Sequence, residues 1–294
     1  MSFYVENLLV TVCIFTILSW GCWLPLRGGQ LFNGPVYCAA IGGYFAAYTT
    51  AVLGWPIPAG FVGGILMGGL FAFVCSFFLA ALSMFQMAVV TIALIFITQT
   101  TFRNLEFLGG VLGISGVPAV SHLLLICFAA VVIVLWFLVR LTKSRWGRAM
   151  EVVKVDSETA GAMGIDVIRM SMALQTAGGL LGGLAGVIFT FNLGTIHPDI
   201  FGFGQLLYCF SIIMVGGRNT PWGCLFFAPV LWLIPEFFPA GITEYRNIMV
   251  GVVIIVSLLT MPDGIITRRL VERFEAGLTR VRRLMPSSAQ SSSG

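Results

Sequence analysis

The sequence predicts an all-α integral membrane protein, a polytopic bundle of about eight to ten transmembrane helices with one short helix outside the membrane. Hydrophobic residues make up 58% of the chain and charged residues 10%, whereas about 25% of a soluble domain is charged. The charge-free stretch from Gly28 to Phe102 spans 75 residues, enough for about three helices of about 20 residues each. Because such stretches are continuously apolar, and strands of a membrane barrel alternate apolar and polar residues, helices are expected.

Apolar stretches separated by turn residues divide the chain into nine predicted helices. Gly54, Trp55 and Pro56 mark one such turn, since glycine and proline interrupt helices. The first apolar stretch lacks a basic region before it and a small-residue cleavage site, so it is predicted to be a retained helix and not a signal peptide. The nine predicted helices cover residues 7–26, 33–53, 57–81, 84–102, 121–139, 170–193, 205–217, 221–238 and 246–261.

Two charged segments set the predicted orientation. Residues 140–169 carry six basic and four acidic residues, and residues 268–283 carry six basic and two acidic residues. Both are predicted to face the cytoplasm, because basic residues accumulate on that side of a membrane. Four predicted helices lie between them, and an even number returns the chain to the same side. The N-terminus then lies outside.

The C-terminal part of the chain is predicted to differ from the membrane domain, which covers residues 1–266. Residues 267–285 place Leu270, Phe274 and Leu278 on one helical face among arginines, a pattern that predicts an amphipathic helix on the anionic inner leaflet. Residues 286–294 are polar and of low complexity, and are predicted to be disordered.

Residues 24–35 allow two interpretations, because prolines and glycines crowd between two apolar stretches there. The segment is either a loop at the membrane surface or a helix broken within the bilayer and covered by protein. Arg27 distinguishes the two. An arginine at the surface is an ordinary anchor, whereas an arginine at depth marks a pathway or a charge pair.

The sequence contains no motif for catalysis, ATP binding or metal binding. It has no G-x-x-x-x-G-K-[ST] loop, no H-E-x-x-H and no G-x-S-x-G, so no catalytic residue is assigned. The seven cysteines lie in apolar stretches without a C-x-x-C pair and are predicted to be packing residues; no metal site is expected. The longest apolar stretch also lacks the acidic or histidine residues of an ion-coupled carrier. Energy for transport would therefore have to come from another subunit.

The charged segment contains a candidate docking helix for such a subunit. Asp156 or Ser157 can cap its start, and Gly164 can end it in a left-handed conformation. About seven helical residues lie between them, a length of about 10 Å. Ala160 and Gly161 are small enough for close approach of a partner backbone. The alternative is a solvated loop that joins two membrane helices.

Five blocks of the chain resemble one family. The segment WGRAMEVVKVDSETAGAMGIDVIRM resembles the cytoplasmic loop of permeases of branched-chain amino acid ABC importers, specifically the LivM-like subunit. Four more blocks follow the family order and include its Gly-Gln-Leu, Gly-Gly-x-x-Gly and Gly-Pro motifs; they cover residues 27–48, 85–118, 178–205 and 215–238.

The chain departs from the family pattern at several positions. Arg27 stands where the family usually has tyrosine, and Phe32 and Asn33 replace a Ser-Leu pair. Arg218 lies within the Gly-Gly segment, and Cys224 replaces its proline. These departures leave the subunit assignment intact and leave the substrate open.

The resemblance implies a permease subunit in the bacterial inner membrane that is not itself an enzyme. The implied partners are a second, LivH-like permease, two ATP-binding subunits that hold ATP and Mg²⁺, an extracytoplasmic solute-binding protein and the lipid bilayer; no nucleic acid and no cofactor on this chain are expected. The coupling helix would consist of Val155, Asp156, Ser157, Glu158, Thr159, Ala160, Gly161, Ala162, Met163 and Gly164.

Glycines and two loop residues complete the candidate sites. Small residues repeat every four positions on one helix face, which predicts close helix packing, with a lining of the translocation path as the alternative. His197 and Asp199 could contact the binding protein or simply be solvated. The helix-packing or path residues are Gly28, Gly29, Gln30, Gly34, Gly178, Gly182 and Gly186.

The expected function is ATP-driven import of small polar organic solutes. Branched-chain or other amino acids are the expected solutes, with urea or short amides as the alternative for the same machinery. A secondary carrier or a channel is the alternative of another class.

Overall fold

A computed structural model describes residues 3–118, 120, 122–218, 220–233 and 251, and all statements below concern those residues. The chain is all-helical apart from two strands of two residues each, which confirms the predicted fold class. The α-helices are α1 (Phe3–Arg27), α2 (Gly34–Ala47), α3 (Ile57–Leu79), α4 (Met84–Asn104), α5 (Leu123–Lys143), α6 (Arg145–Val155), α7 (Ser157–Ala162), α8 (Val167–Leu193), α9 (Phe203–Gly216) and α10 (Pro221–Leu233).

Five of these helices are long and apolar enough to cross a membrane, namely α1, α3, α4, α5 and α8. Two shorter apolar helices, α9 and α10, follow. The predicted bounds differ from the observed ones by a few residues, as expected where helix ends are set by local capping. The predicted helix at 246–261 lies outside the described residues except for residue 251, and the predicted amphipathic helix at 267–285 and disordered tail at 286–294 lie wholly outside them.

Helix α8 lies at the centre of the bundle and packs against α1, α2 and α3. Its glycines allow this close packing, because a helix face without side chains lets a neighbouring backbone approach. A Cβ on Gly178 would lie 2.8 Å from the carbonyl oxygen of Gly21 in α1. Two buried tryptophans of α1 donate hydrogen bonds to residues at or just before the start of α10. The indole N–H of Trp20 donates to the carbonyl of Pro221 (2.8 Å), and that of Trp23 donates to the carbonyl of Arg218 (3.0 Å).

The bundle has two distinct ends. At the charged end, the end of α1 contacts α6, and α6 and the start of α8 contact α7. At the opposite end, which we call the ribbon end, strands β1 (Ile114–Ser115) and β2 (Thr195–Ile196) pair in antiparallel fashion. Asn7 near the start of α1 accepts a hydrogen bond from Asn192 near the end of α8 there (2.5 Å). The start of α1 and residues 140–169 therefore lie at opposite ends of the bundle, and their orientation in the membrane stays a prediction.

One interruption was not predicted. The helix expected at 33–53 is α-helical to Ala47 and continues as a π-helical turn, Tyr48–Val52. The hydroxyls of Thr49 and Thr50 donate to the carbonyls of Phe45 (2.8 Å) and Ala46 (2.7 Å). Threonine hydroxyls bonded in this way compete with the regular backbone hydrogen bonds. The π-helical turn accommodates this competition by a local change in the hydrogen-bond pattern of the helix.

Candidate functional site

The predicted docking helix exists as α7, and local side chains define where it begins. Asp156 is its N-cap: one carboxylate oxygen accepts hydrogen bonds from the backbone N–H groups of Glu158 (2.9 Å) and Thr159 (3.3 Å), and the other accepts from the Thr159 hydroxyl. These donors hold the pKa of Asp156 below its ordinary value, the hydroxyl of Thr159 contributing most. Helix α7 has six residues, where about seven were predicted. In so short a helix the cap accounts for much of the order.

Gly164 ends the helix in the predicted left-handed conformation, with φ 82°. The N–H of Ile165 donates to the carbonyl of Ala160 (3.1 Å), and the N–H of Gly164 to that of Gly161 (3.0 Å). This pair of bonds is the Schellman arrangement, which satisfies the last carbonyls of a helix. The short helix is thus closed at both ends by its own sequence.

Two large apolar side chains are exposed at the ends of α7. Val155, just before the N-cap, is 87% exposed, and Met163, just after the last helical residue, is 70% exposed. Ala160, within α7, is fully buried. Val155 and Met163 thus place one exposed apolar side chain at each end of α7.

The segment before α7 forms a second helix, α6, which was not among the helices predicted from the sequence. Ser144 caps it, since its hydroxyl accepts a hydrogen bond from the N–H of Gly147 (3.4 Å). The helix is amphipathic, with Met150 fully buried and Arg148 exposed. A serine followed by residues of good helix propensity was the available signal.

Helix α6 connects α7 to the end of α1 through an ion pair. The guanidinium of Arg27 lies 2.6 Å from the carboxylate of Glu151, and the side chain of Arg27 is only 8% exposed. Arg27 is therefore a paired, buried arginine. Residues 28–33 are not helical, and protein covers them. Residues 24–35 therefore consist of the end of α1, a covered turn and the start of α2.

The turn after Arg27 also touches α6 through its backbone. Gly29 has φ 80°, and a Cβ at this position would lie 3.0 Å from the Cα of Lys154. Burial lowers the pKa of Lys154, and the charges of Arg27 and Arg218 lower it further, against the opposing effect of Glu151. The predicted Gly28, Gly29 and Gln30 are thus brought to the charged segment, whereas Gly34 lies at the start of α2.

A cleft of about 720 Å³ lies between this turn, α6, α7 and the start of α4 and α8. Gln30 and Ser171 form polar parts of its wall, and the side-chain N–H₂ of Gln30 donates to the Ser171 hydroxyl. The amide of Gln175 in turn donates to the side-chain oxygen of Gln30 (3.1 Å). All three residues are at least nine-tenths buried.

The other predicted glycines lie against helix backbones. A Cβ on Gly182 would collide with Pro35 of α2, and one on Gly186 with Ala39 of the same helix. These positions, with Gly178 against α1, are occupied by packing contacts. A role for them in a translocation path stays a prediction.

At the ribbon end, His197 and Asp199 hold two loops together. Asp199 forms an ion pair with Arg103 at the end of α4 and accepts a hydrogen bond from Gln99 (3.1 Å). The hydrogen bond from Arg103 lowers the pKa of Asp199. The ring of His197 bonds to the carbonyl of Leu112 (3.0 Å). This role could not be predicted from the local sequence, because the partners lie 85 to 100 residues away along the chain, in α4 and in the loop that holds Leu112.

The cysteines and the potential metal ligands were also located in the part of the chain that the structure describes. All seven cysteines are free, and six of them are buried. No group of three or more potential metal ligands occurs among the described residues.

Comparison with known proteins identifies the family of this chain. The profile of the family described as "Branched-chain amino acid transport system / permease component" matches residues 4–258. The chain is 24% identical to the high-affinity branched-chain amino acid transport permease LivM of Escherichia coli, over 76% of this chain and 62% of LivM. It is 30% identical to LivH of the same organism over 44% of this chain and 42% of LivH.

A relative with another named solute also matches. The fructose import permease FrcC of Rhizobium meliloti is 27% identical over 47% of this chain and 38% of FrcC. The chain thus spans less than two thirds of the length of each of these three relatives. No solved structure matches. With a family match that covers most of a multi-pass helical bundle, this chain belongs to the permease components of branched-chain amino acid transport systems, a family of transport subunits and not of enzymes.

Proposed function

We propose that the chain is the LivM-like permease subunit of an ATP-driven importer in the bacterial inner membrane, and that α7 is its coupling helix. One observation carries the proposal: α7 is capped at both ends and is flanked by the exposed apolar side chains of Val155 and Met163. A rigid, short helix with an apolar edge fits a groove on an ATP-binding subunit, where the apolar side chains would leave water.

The ion pair of Arg27 with Glu151 supports a route from this helix to the membrane domain. Movement of α7 is passed to α6, which ends at Val155, directly before the Asp156 N-cap of α7. The pair then connects α6 to the end of α1, where an unpaired arginine would be costly. In this proposal ATP binding and hydrolysis on the partner subunits, with their Mg²⁺, shift α6 and α7 together and change the access of the bundle.

The proposed assembly follows from family membership. The chain pairs with a second, LivH-like permease, two ATP-binding subunits and an extracytoplasmic solute-binding protein. Residues 140–169 and the C-terminus face the cytoplasm, and residues 267–285 lie on the inner leaflet as an amphipathic helix. Branched-chain or other amino acids are the proposed solutes; urea or short amides are the alternative for the same machinery.

The test replaces the exposed apolar residues in the full transporter. Val155→Ser together with Met163→Ser should reduce copurification of the ATP-binding subunits and reduce ATP-dependent uptake of leucine. Leu112 is similarly exposed, at 85%, at the ribbon end, so Leu112→Ser is the matched control and should leave copurification unchanged.

Two outcomes would contradict the proposal. Normal copurification and uptake with both serine substitutions would show that α7 does not dock the ATP-binding subunits. Uptake that continues when those subunits are absent would instead indicate a secondary carrier or a channel.

A further inference from the structure

We propose that the corner between α5 and α6 binds the headgroups of anionic phospholipids, and that these lipids hold the start of α6 at the membrane surface. The charge that carries the inference comes from Arg140 in the last turn of α5 and from Arg145 and Arg148 in the first turn of α6. The inference goes beyond the proposed function, because it concerns a lipid site and not the transported solute or the ATP-binding subunits.

The corner carries positive charge that no nearby acidic residue neutralises. Residues 140–150 contain four basic residues and no acidic residue, and the next acidic residue, Glu151, pairs with Arg27. The side chains of the three arginines are exposed, and among the described residues no carboxylate lies within ion-pair distance of any of them. A basic cluster directly beyond a membrane-spanning helix is typical of a site for anionic lipids.

The exposed face of α5 leads to this charge. Exposed apolar side chains lie three or four residues apart along one face of the helix, namely Leu125, Phe128, Val132 and Trp136. Arg140 continues the same face about 6 Å beyond Trp136, and its guanidinium carbon lies 5.3 Å from the centre of the Trp136 ring. Tryptophans collect at the headgroup level of a membrane. The order of the side chains therefore follows the passage from hydrocarbon to phosphate.

Helix α6 begins at the same level. A single residue separates it from α5, and a Cβ on Gly147 would collide with the carbonyl oxygen of Thr142, so the first turn of α6 packs directly on the end of α5. Arg145 and Arg148 lie three residues apart and share a face of α6. The side chain of Trp146 beside them is 52% exposed. Exposed arginines next to an exposed tryptophan are typical of a helix start that lies in the membrane interface.

The chemistry of the corner favours a phospholipid with net negative charge. A guanidinium donates two parallel hydrogen bonds to a phosphate, and phosphatidylglycerol adds a negative charge that zwitterionic phosphatidylcholine lacks. An ATP-binding subunit is the rival occupant. The apolar face of α5 that leads to Arg140 favours lipid, because a subunit in the aqueous phase does not reach such a face.

Crosslinking of a labelled lipid tests binding at the corner. The full transporter is placed in nanodiscs of phosphatidylcholine with a trace of photoreactive phosphatidylglycerol, and crosslinked peptides are identified by mass spectrometry. Peptides within residues 136–150 should be labelled, and excess unlabelled phosphatidylglycerol should suppress this labelling. Arg145→Gln with Arg148→Gln should reduce it about tenfold or more, because each basic residue near an anionic headgroup strengthens binding about fivefold. Lipid bound elsewhere does not interfere, because labelling is measured peptide by peptide.

Two control variants separate a site from attraction by net charge. Lys154→Gln with Arg169→Gln also removes two exposed charges at the charged end and should leave the labelling nearly unchanged. Lys154 lies about 9 Å beyond Arg148 along α6, which exceeds the Debye length of about 8 Å at physiological salt, and Arg169 already pairs with Asp166. Arg145→Lys with Arg148→Lys keeps both charges and should retain most of the labelling.

Hydrogen exchange tests whether the lipid restrains α6. Exchange of the amides of residues 145–149 should slow in the parent when phosphatidylglycerol replaces part of the phosphatidylcholine, and should not slow in the variant without Arg145 and Arg148. The amides of residues 195–197 at the ribbon end are the internal control and should exchange equally in both lipids. High salt should reduce the difference at α6, because it screens exposed charges.

Three outcomes would overturn the inference. The first is equal labelling of the corner by photoreactive phosphatidylcholine and phosphatidylglycerol. The second is an equal loss of labelling in the two variants that each lose two charges, which would assign the effect to net charge. The third is unchanged labelling in Arg145→Gln with Arg148→Gln together with loss of the ATP-binding subunits, which would assign the corner to that partner.

Uptake separates this inference from the proposed function, since crosslinking and exchange are measured without ATP. If the transporter imports leucine and the corner is not labelled, the inference fails and the proposed function stands. If no solute is imported in any lipid, the proposed function fails, and the labelling still decides the inference.

Discussion

The guanidinium of Arg27 at the end of α1 lies 2.6 Å from the carboxylate of Glu151 in α6. The two residues are 124 positions apart in the chain, and they connect the membrane domain with the segment that carries α7. Arg27 is almost fully buried, whereas Glu151 is about two-fifths exposed.

Removing the carboxylate should destabilise the protein. Glu151→Gln removes a charged partner of the buried Arg27, and we expect a loss of about 2 kcal/mol in the free energy of unfolding, reduced from the fully buried case because Glu151 is partly solvated. Arg169 pairs with Asp166 on the surface, with side chains 86% and 51% exposed, so Arg169→Gln is the control and should cost less than about 0.5 kcal/mol. Thermal denaturation of the purified transporter measures both; equal effects would contradict the prediction.

The end of α7 should depend on the backbone of Gly164. Gly164→Ala adds a methyl group that meets no atom within 4 Å, but at φ 82° it should cost about 1–2 kcal/mol of local stability. Gly161→Ala adds the same methyl group within the helix, also without a neighbour, and should stabilise it by about 0.5–1 kcal/mol. Hydrogen exchange of the α7 amides reports both changes. Similar exchange in the two variants would show that the left-handed residue is unimportant.

The N-cap of α7 should make this helix sensitive to acid. The pKa of Asp156 is lowered in the folded chain, so its contribution to stability is fully present above the unfolded pKa of about 3.9 and is lost as pH falls through the folded pKa. Exchange of the Glu158 and Thr159 amides should therefore rise, beyond the intrinsic pH effect on exchange, only in the acid range. Asp156→Asn should remove this dependence, and an unchanged profile in that variant would exclude the carboxylate as its source.

Close packing of α8 on α2 should not tolerate a methyl group at Gly186. The added carbon would collide with the backbone of Ala39, and backbone cannot rotate away, so we expect a loss of about 1–3 kcal/mol or more. Gly204→Ala is the control, since a Cβ there meets nothing within 4 Å. The yield and melting temperature of the assembled transporter distinguish them. A Gly186→Ala protein as stable as the control would mean that the two helices are farther apart.

Features set by neighbouring residues could be predicted from the sequence, and α7 is the clearest case. Asp156 and Gly164 are capping residues whose effect needs only a few residues of context. Long apolar stretches likewise predicted α1, α3, α4, α5 and α8, because the bilayer sets the length of a spanning helix.

Features that join distant parts of the chain could not be predicted in this way. The partner of Arg27 lies in another helix, and the partner of Asp199 lies at the end of α4. Nothing in the local pattern around Glu151 or Arg103 identifies these contacts. The cluster of Gln30 with Ser171 and Gln175 was missed for the same reason, although Gln30 itself was singled out by the family motif.

The glycine face of α8 also affects how the bundle can move. Side chains on most helices form ridges that interlock with the grooves of a neighbour, and sliding then requires rotamer changes. Where Gly178, Gly182 and Gly186 face α1 and α2, there are no ridges to disengage. Helix α8 begins three residues after Gly164 and runs to the ribbon end, a length of about 40 Å at about 1.5 Å per residue. At these glycines a small shear of α8 along α1 and α2 requires no rotamer change, whereas other side chains of α8, such as Leu174 and Phe191, stay packed in the core.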